Sequence, residues 1–569
     1  MHSPSTSHLQ RRLTYREAGE PIARKYPVTV AIDFGTTYSG CSYKFEDDDE
    51  IYDVVKWPKH FGFYAKVPSL LYYKGRAKRL VDWGDGARRL ALQPGQEGYL
   101  IRQFKLWLAK DTTSSPPPSL LDGQEPVDAI ADYLRLFHES VVEQMMRTGA
   151  GRYSLDQFGY CLTVPAIWDD TAKAAMREAM IQADIIRADD PPERLVLVGE
   201  PEAAAMYCEK QCESWNNMKD QDTFMIVDAG GGTVDIIIYQ LEISGETRSL
   251  KEITRGCGGT CGSAYIDNNM RQWLLNRLGD HAELVSTCTL ENVMETFTEK
   301  IKPYFCGEGD QYLTVPAVML QVREHIDDLI DDDGNIRLST EELNEKVYIP
   351  VFDQVMALIK EQLDQVPKVN ALYLVGGFGC SEYLYTAVKE NFDSRIPTIA
   401  MAPRGDVAVA RGAIYHISQP SFIATRVLRN TYGLMTRMAF QEGLDPEESA
   451  IVTSDGVKRC ATRFDVMAFK GQSIQVNQKI SRHFWVKYPR HTEADLYVYD
   501  GDAPIPRQIT DPGVRKMADF PIRMLPLDGY TQGDPVDIRI DFMFGLSELK
   551  IHVFIAGRQV EFVTTFENE

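Results

Sequence analysis

Hydrophobic positions along the chain change texture at about residue 417. Before it, short continuous apolar runs alternate with stretches in which apolar residues return every three or four positions, the pattern of strands alternating with helices. Ile130, Leu134, Phe137, Val141 and Met145 predict one such amphipathic helix, ending at the turn around Gly149. After it, Val536, Ile538, Ile540, Phe542 and Phe544, and then Leu549, Ile551, Val553 and Ile555, alternate with mostly polar residues, so sheets with one buried face are predicted. Residues 1–27 lack any period and read as a mobile tail. Residues 28–417 then form an α/β body and residues 418–569 a separate β-rich domain.

Three consecutive prolines make residues 111–126 a surface loop, because they deny the backbone donors that a helix or inner strand needs. The acidic run Asp327, Asp328, Asp331, Asp332 and Asp333, closed by Gly334, lacks the alternating oxygen ligands of a calcium loop and predicts a solvated turn.

Composition narrows the function classes. The 569 residues exceed one ordinary core, and a hydrophobic fraction of 44% is that of a folded chain. A formal charge of -21 argues against nucleic acid as a partner, since that activity begins with a basic surface. The N-terminus has no apolar core of signal-peptide length, and no later stretch has the length of a membrane span. A soluble cytoplasmic protein is expected, with the nucleus as the alternative compartment. Ten scattered cysteines suit a reducing compartment, and the Cys-x-x-x-Cys pairs Cys208 with Cys212 and Cys257 with Cys261 read as incidental or buried thiols rather than a zinc site.

The chemistry is concentrated in three glycine clusters. Residues 28–45 read strand, tight turn, strand, with Asp33 closing the first strand and Gly35, Thr36 and Thr37 in the turn, followed by Tyr38. Glycine lets the backbone approach an anion, amides and threonine hydroxyls donate to phosphate oxygens, and Asp33 is set to hold a hydrated magnesium ion. Residues 225–239 repeat the arrangement: an apolar strand, Asp228, Gly230, Gly231, Gly232, Thr233, and a second apolar strand. Two such hairpins are what a pseudo-symmetric cleft needs to clamp a polyphosphate from both sides, and neither is a Walker loop, since each turn leads into a strand. In residues 372–384, Gly376 and Gly377 follow an apolar strand and open a helix, so a nucleoside can lie against bare backbone there.

With these three clusters in this order, the sequence resembles the heat shock protein 70 chaperone family of the actin and sugar-kinase superfamily, as a divergent lidless member. The resemblance rests on IDFGTTYSG, LTVPAIWDD, GEPEAAAMY, VDAGGGTVD, CGSAYIDNNM and LVGGFG. It implies a two-lobed actin-like ATPase of ribonuclease H-like repeats over residues 28–417, followed by a β-sandwich-like substrate domain. It also implies ATP or ADP with Mg2+ as cofactors, and K+ as a further candidate ion. By the same resemblance Lys105 reaches the γ-phosphate and attacking water, Glu200 helps hold the magnesium shell or the water, and Asp228 is the second metal-side carboxylate facing Asp33. Gly230, Gly231, Gly232 and Thr233 would bind the β- and γ-phosphates. Pro165 would relay nucleotide state to the second domain, with Lys173 where the family usually has arginine. From sequence, Lys105 also reads as an ordinary surface lysine, and Pro165 as a strand-ending proline.

The nucleoside side departs from the family pattern. Glu299 and Lys302 fit the adenine-contacting helix, but Pro303 stands where an arginine packs on the base and Cys306 replaces a serine. Phe378 and Cys380 occupy positions that favour small polar and basic residues, and Asp406 matches the later aspartate after a short insertion. The acidic-leucine linker is replaced by QPSFIATRVLRNTYG, and no helical lid or terminal acidic motif is expected before Glu569. An atypical chaperone-like ATPase of low turnover is therefore expected, acting on client proteins or peptides with nucleotide-exchange or co-chaperone partners. A nucleotide-binding scaffold with little hydrolysis and a small-molecule kinase are the alternatives.

Overall fold

The computed structural model describes residues 9–13, 26–75, 79–108, 123–245, 247–320, 329–453, 455–476, 478–524, 526–544, 548–560 and 562–566. Most of the expected tail, residues 111–122 of the expected loop, and Asp327 and Asp328 lie outside them. In what remains of the acidic run, the Asp331 carboxylate accepts from the amides of Asp333 and Asn335 (3.0 and 2.7 Å), which is a turn held by its own side chain.

Two sheets carry the α/β body, and each begins the same way. In the first, Val28–Asp33 runs antiparallel to Tyr38–Phe45 and parallel to Phe158–Val164, which is parallel to Leu195–Gly199. In the second, Thr223–Ala229 runs antiparallel to Val234–Ser244 and parallel to Ala371–Val375, which is parallel to Thr398–Met401. The strands Phe158–Val164 and Ala371–Val375 are buried at every position, as expected where helices cover both faces. The repeated order makes this a two-lobed actin-like fold, with one hairpin at the same place in each lobe.

Two helices lie between the lobes. Glu200–Gln211 and Ala408–Ser418 share one apolar cluster with Ala31, Cys161 and Val198 of the first sheet and Phe224, Ile226 and Tyr239 of the second. They cross where a Cβ on Gly412 would stand 1.8 Å from the carbonyl oxygen of Ala203. That backbone contact fixes the helix whose first residue is Glu200. The helix Pro126–Arg147 packs under the first sheet with Ile130, Leu134, Phe137, Val141 and Met145 all fully buried, the face its sequence predicts.

The C-terminal region is a β-sandwich. One sheet holds Thr431–Ala439, Lys458–Ala468, Thr492–Tyr499 and Val514–Ile522, and the other Ile480–Lys487, Pro535–Met543 and Lys550–Ile555. Leu434, Leu496 and Phe520 from one meet Ile538, Ile540, Phe542 and Val553 from the other in one core.

The structure differs from the expected boundaries in two places. Strand Ile423–Val427 pairs parallel with Thr247–Glu252 of the second lobe and antiparallel with Ser473–Gln475, so the lobe's sheet runs across the boundary expected at 417/418. Its mixed apolar and charged residues conceal a strand because the charges find partners: Arg426 pairs with the buried carboxylate of Glu202 at 2.6 Å. Within the expected tail, Leu9–Leu13 pairs antiparallel with Phe562–Phe566 at the sandwich edge, a pairing across the length of the chain that no local period signals.

Gly412→Ala would ordinarily favour a helix by about 1 kcal/mol. Here the methyl meets backbone, so the expected result is a net loss of about 1–3 kcal/mol, read as a lower denaturant midpoint; a rise would show that the helix crossing is loose.

Candidate functional site

The hairpin tips are aimed by what lies behind them. Phe34, fully buried, packs on Phe104 and Tyr133 with ring centres 5.9 and 5.7 Å away, anchoring the first turn to the segment Phe104–Leu108 that carries Lys105. Gly35 allows the turn, since a Cβ there would sit 2.1 Å from the Tyr38 carbonyl oxygen. In the second hairpin the Gly230 amide bonds the Thr233 carbonyl at 3.0 Å, and the carbonyls of Gly230, Gly231 and Gly232 accept from Ser263, Ala264 and Gly262 (3.1, 2.8 and 3.1 Å). The start of helix Ala264–Leu278 therefore holds that turn.

The tips meet across the lobes. A Cβ on Gly231 would lie 2.0 Å from Thr37 Oγ1, and one on Gly232 2.3 Å from Thr36 Oγ1. The cleft beside them encloses about 560 Å³ and is lined by Asp33, Gly35, Thr36, Thr37, Tyr38, Lys105, Glu200, Asp228, Gly230, Gly231, Gly232 and Thr233. All the residues singled out for the phosphate and metal side thus converge on one cavity.

Below the tips, Lys105 Nζ contacts Glu200 Oε1 at 2.6 Å, and both groups are buried. The rings of Phe34 and Trp168 stand 5.7 and 5.4 Å from the same ammonium, so it is no surface lysine. Asp33 pairs with Lys66 and lies 3.4 Å from Thr163 Oγ1. Across the second hairpin, Asp228 and Asp235 are register partners, and Asp235 accepts from the Ile167 amide at 3.2 Å. Burial pushes the Glu200 carboxyl up to about 7, with the Lys105 ammonium pulling the other way and Asp235 and Asp33 adding to the rise. Burial and the neighbouring Glu200, Asp235 and Asp33 hold Asp228 well above the carboxylate range. Burial raises Asp235 as well. An oxygen-rich, electron-rich cluster of this kind fits a divalent cation, whose charge would reverse those shifts.

On the nucleoside side, Gly376 has φ +83°, and a Cβ there would meet the Ala229 carbonyl at 2.4 Å, whereas Gly377 faces open space. Phe378 lines the cleft yet is itself buried against Phe352. Lys302 also lines it, but its ammonium is held by both Asp267 oxygens (2.8 and 2.9 Å) and the Ser263 carbonyl (2.8 Å). Asp406 borders the cavity and pairs with Arg404 at 3.0 Å. Glu299 does not line the cleft but pairs with Arg88 of the first lobe, which does, at 2.9 Å, and Glu295 meets the same guanidinium at 3.5 Å. Arg102 and Arg271 converge on Glu291 (2.7 and 2.9 Å), a second ion pair across the mouth.

Pro165 and Lys173 lie outside the cleft but beside it. Pro165 follows the strand Phe158–Val164 and accepts from the Trp168 amide at 3.2 Å, closing the turn that brings Ile167 to Asp235 and Trp168 to Lys105. Lys173 sits on helix Asp170–Gln182, where burial lowers its pKa, near Asp170, Arg429, Arg426 and Glu548. The same helix sends Arg177 to Glu548 of the C-terminal domain at 2.6 Å.

Three further residues belong to the site: Asp235 lies within VDAGGGTVD, so the glycine motif itself signals it, whereas Lys66 and Trp168 carry no local pattern and are found only by the fold. All ten cysteines are free thiols, and among the described residues no group of three His, Cys, Asp or Glu forms a ready metal cluster. No described helix is long and apolar enough to cross a membrane.

Comparison with known proteins agrees with the geometry. A family model described as Hsp70 protein matches residues 140–459, more than half of the chain. The chain is similar to heat shock 70 kDa protein 12B of Homo sapiens, 25% identical over 94% of this chain and 90% of that protein. It is similar to heat shock 70 kDa protein 12A of Mus musculus at 24% over 93% and 90%. A chaperone protein HscA homolog of Paracidovorax citrulli is 27% identical over 48% of this chain and 41% of its own length. The doubled hairpins, the cleft between them and these matches together make the chain a divergent member of the Hsp70 family, with that family's nucleotide-binding ATPase-type fold.

Proposed function

We propose that the cleft binds Mg-ATP and hydrolyses it slowly to ADP and phosphate, and that nucleotide state alters how the C-terminal sandwich meets a protein or peptide. The observation that carries this reading is the meeting of two Gly/Thr hairpin tips directly above the buried Lys105–Glu200 pair. Turn amides and the hydroxyls of Thr36, Thr37 and Thr233 would grip the phosphates. Asp33 and Asp228, largely through water, would hold magnesium, which when bound supplies charge neutralisation at the triphosphate. Lys105 is suited to orient the γ-phosphoryl group and the water that attacks it. As the water oxygen bonds phosphorus, the bridging P–O bond breaks toward ADP, and a carboxyl held near 7, as in Glu200, suits the water's proton at neutral pH.

Coupling has two supports. The Pro165 turn meets Lys105 of the cleft through Trp168 and leads into the helix whose Arg177 pairs with Glu548. The helix that starts at Glu200 also carries Glu202, which holds Arg426 of the strand leading into the sandwich. Clients, co-chaperones and exchange factors would meet the molecule in the cytoplasm.

Purified protein with Mg-ATP is expected to release phosphate, and Lys105→Ala and Asp228→Asn to cut turnover by about 10²-fold or more. Tight ATP binding with no release from the wild type would favour the scaffold reading, and transfer of the phosphoryl group to a sugar the kinase reading.

A pH dependence follows from the raised carboxyls. Near pH 7 the ligand-free cluster holds protons that a bound cation must expel, so magnesium-dependent ATP affinity should rise as pH increases through about 7, with proton release. Calorimetry in two buffers of different ionisation enthalpy measures that release, which Glu200→Gln should reduce. Equal release from both proteins would remove Glu200 from the titrating set.

A further inference from the structure

The nucleoside end of the cleft has an aromatic floor. Tyr348 packs among Phe305, Phe352 and Tyr383 with ring centres 4.9, 6.0 and 5.6 Å away, and Phe378 extends the cluster through Phe352 at 6.0 Å. Tyr348 and Phe378 both line the cavity, alongside Pro303, Lys302 and Ser381. The two tyrosines of this cluster differ in one respect. The Tyr383 hydroxyl donates to Asn344 Oδ1 at 2.9 Å, whereas the Tyr348 hydroxyl, on a side chain only 2% exposed, has no hydrogen-bond partner among the described residues.

Polar groups nearby are committed elsewhere. Lys302 spends its protons on Asp267 and the Ser263 carbonyl, and the amide of Asn269 bonds the Val347 carbonyl at 3.1 Å. Burial holds the phenol far above its ordinary pKa, with Asp267 and Tyr383 adding to the rise, so it stays a neutral O–H donor. A buried phenol without a partner loses the hydrogen bonds that water gave it, and a ligand acceptor at the same spot would restore one.

We propose that Tyr348 is a specificity-determining residue, its hydroxyl donating to a ring nitrogen or ribose oxygen of the nucleoside half of a bound nucleotide. The inference rests on the Mg-ATP reading above. It gives the base pocket a directed contact in a region where Pro303 and Phe378 supply none, the apolar rings confining the nucleoside and the phenol orienting it.

Tyr348→Phe removes the oxygen and keeps the ring. The variant should bind ATP about tenfold more weakly, the worth of one net hydrogen bond, while its affinity for inorganic tripolyphosphate stays that of the wild type. Without ligand its thermal midpoint should stay the same or rise, because the lost hydroxyl had no partner. UTP distinguishes the acceptor: a loss for ATP alone assigns it to the base, and an equal loss for UTP to the ribose. Unchanged ATP affinity overturns the proposal, as does a lower midpoint for the free variant, which would show the hydroxyl already bonded. Wild-type protein that binds tripolyphosphate but gains nothing from the nucleoside overturns the Tyr348 contact alone. Protein that binds neither ligand overturns the Mg-ATP reading and this proposal with it.

Discussion

Four buried carboxylates that act on one another, Asp33, Glu200, Asp228 and Asp235, are the constraint around which the rest of the structure is arranged. Such a concentration is unfavourable in a low-dielectric interior; Lys105 and Lys66 pair with it directly, and Arg429 acts on Asp235. The architecture keeps the charges there nonetheless, one pair ending the first strands of two equivalent hairpins and the others held by an interlobe helix and a neighbouring strand. Burial opposes ionisation of Glu200, Asp228 and Asp235, so their charge and the protein's stability are set against each other by the same residues.

The tips add a steric constraint to the electrostatic one. Thr36 and Thr37 come so close to Gly232 and Gly231 that the lobes could not assume this separation with a side chain at either glycine. The crossing of Gly412 on Ala203 does the same between the interlobe helices. Lobe spacing is thus set at two levels, by threonine side chains on glycine at the tips and by backbone on backbone at the helix crossing, which leaves little slack for the position of Glu200. At the mouth, the pairs Arg88 with Glu295 and Glu299, and Arg102 with Glu291, join the lobes by partly exposed charges, contacts that solvent and salt weaken far more readily.

What the sequence made legible follows from how local the signals are. The hairpins, the helix through Phe137 and the alternating strands around Ile540 are each encoded by neighbours in the chain, and periodicity finds them. The convergence of Lys105, Glu200 and Asp228 was legible only through resemblance, because 123 positions separate the first from the last in the chain. Lys66 and Trp168 were not legible, since one lysine beside a strand and one tryptophan after a turn look like many others. Glu299 shows the opposite case: its motif points to the base, yet its carboxylate is taken by Arg88, a partner no pattern around residue 299 reveals. The strand Ile423–Val427 was hidden because buried charge, not apolar alternation, attaches it.

That strand bears on how the two halves of the molecule depend on each other. Glu200 and Glu202 are two residues apart at the start of one helix, which turns their side chains about 200° from each other. Their environments diverge accordingly. Glu200 is raised to about 7 by burial despite Lys105; burial acts on Glu202 in the same direction, but Arg426 and His416 overcome it and bring it down to about 2. Glu202 is therefore charged at any physiological pH, and it is buried, so moving Arg426 away would leave a carboxylate without its guanidinium in the protein interior. The strand that leads into the sandwich cannot leave the lobe without disturbing the helix that presents Glu200 to the cleft. The reverse holds equally: a shift of that helix draws on the charge that keeps the strand in its sheet.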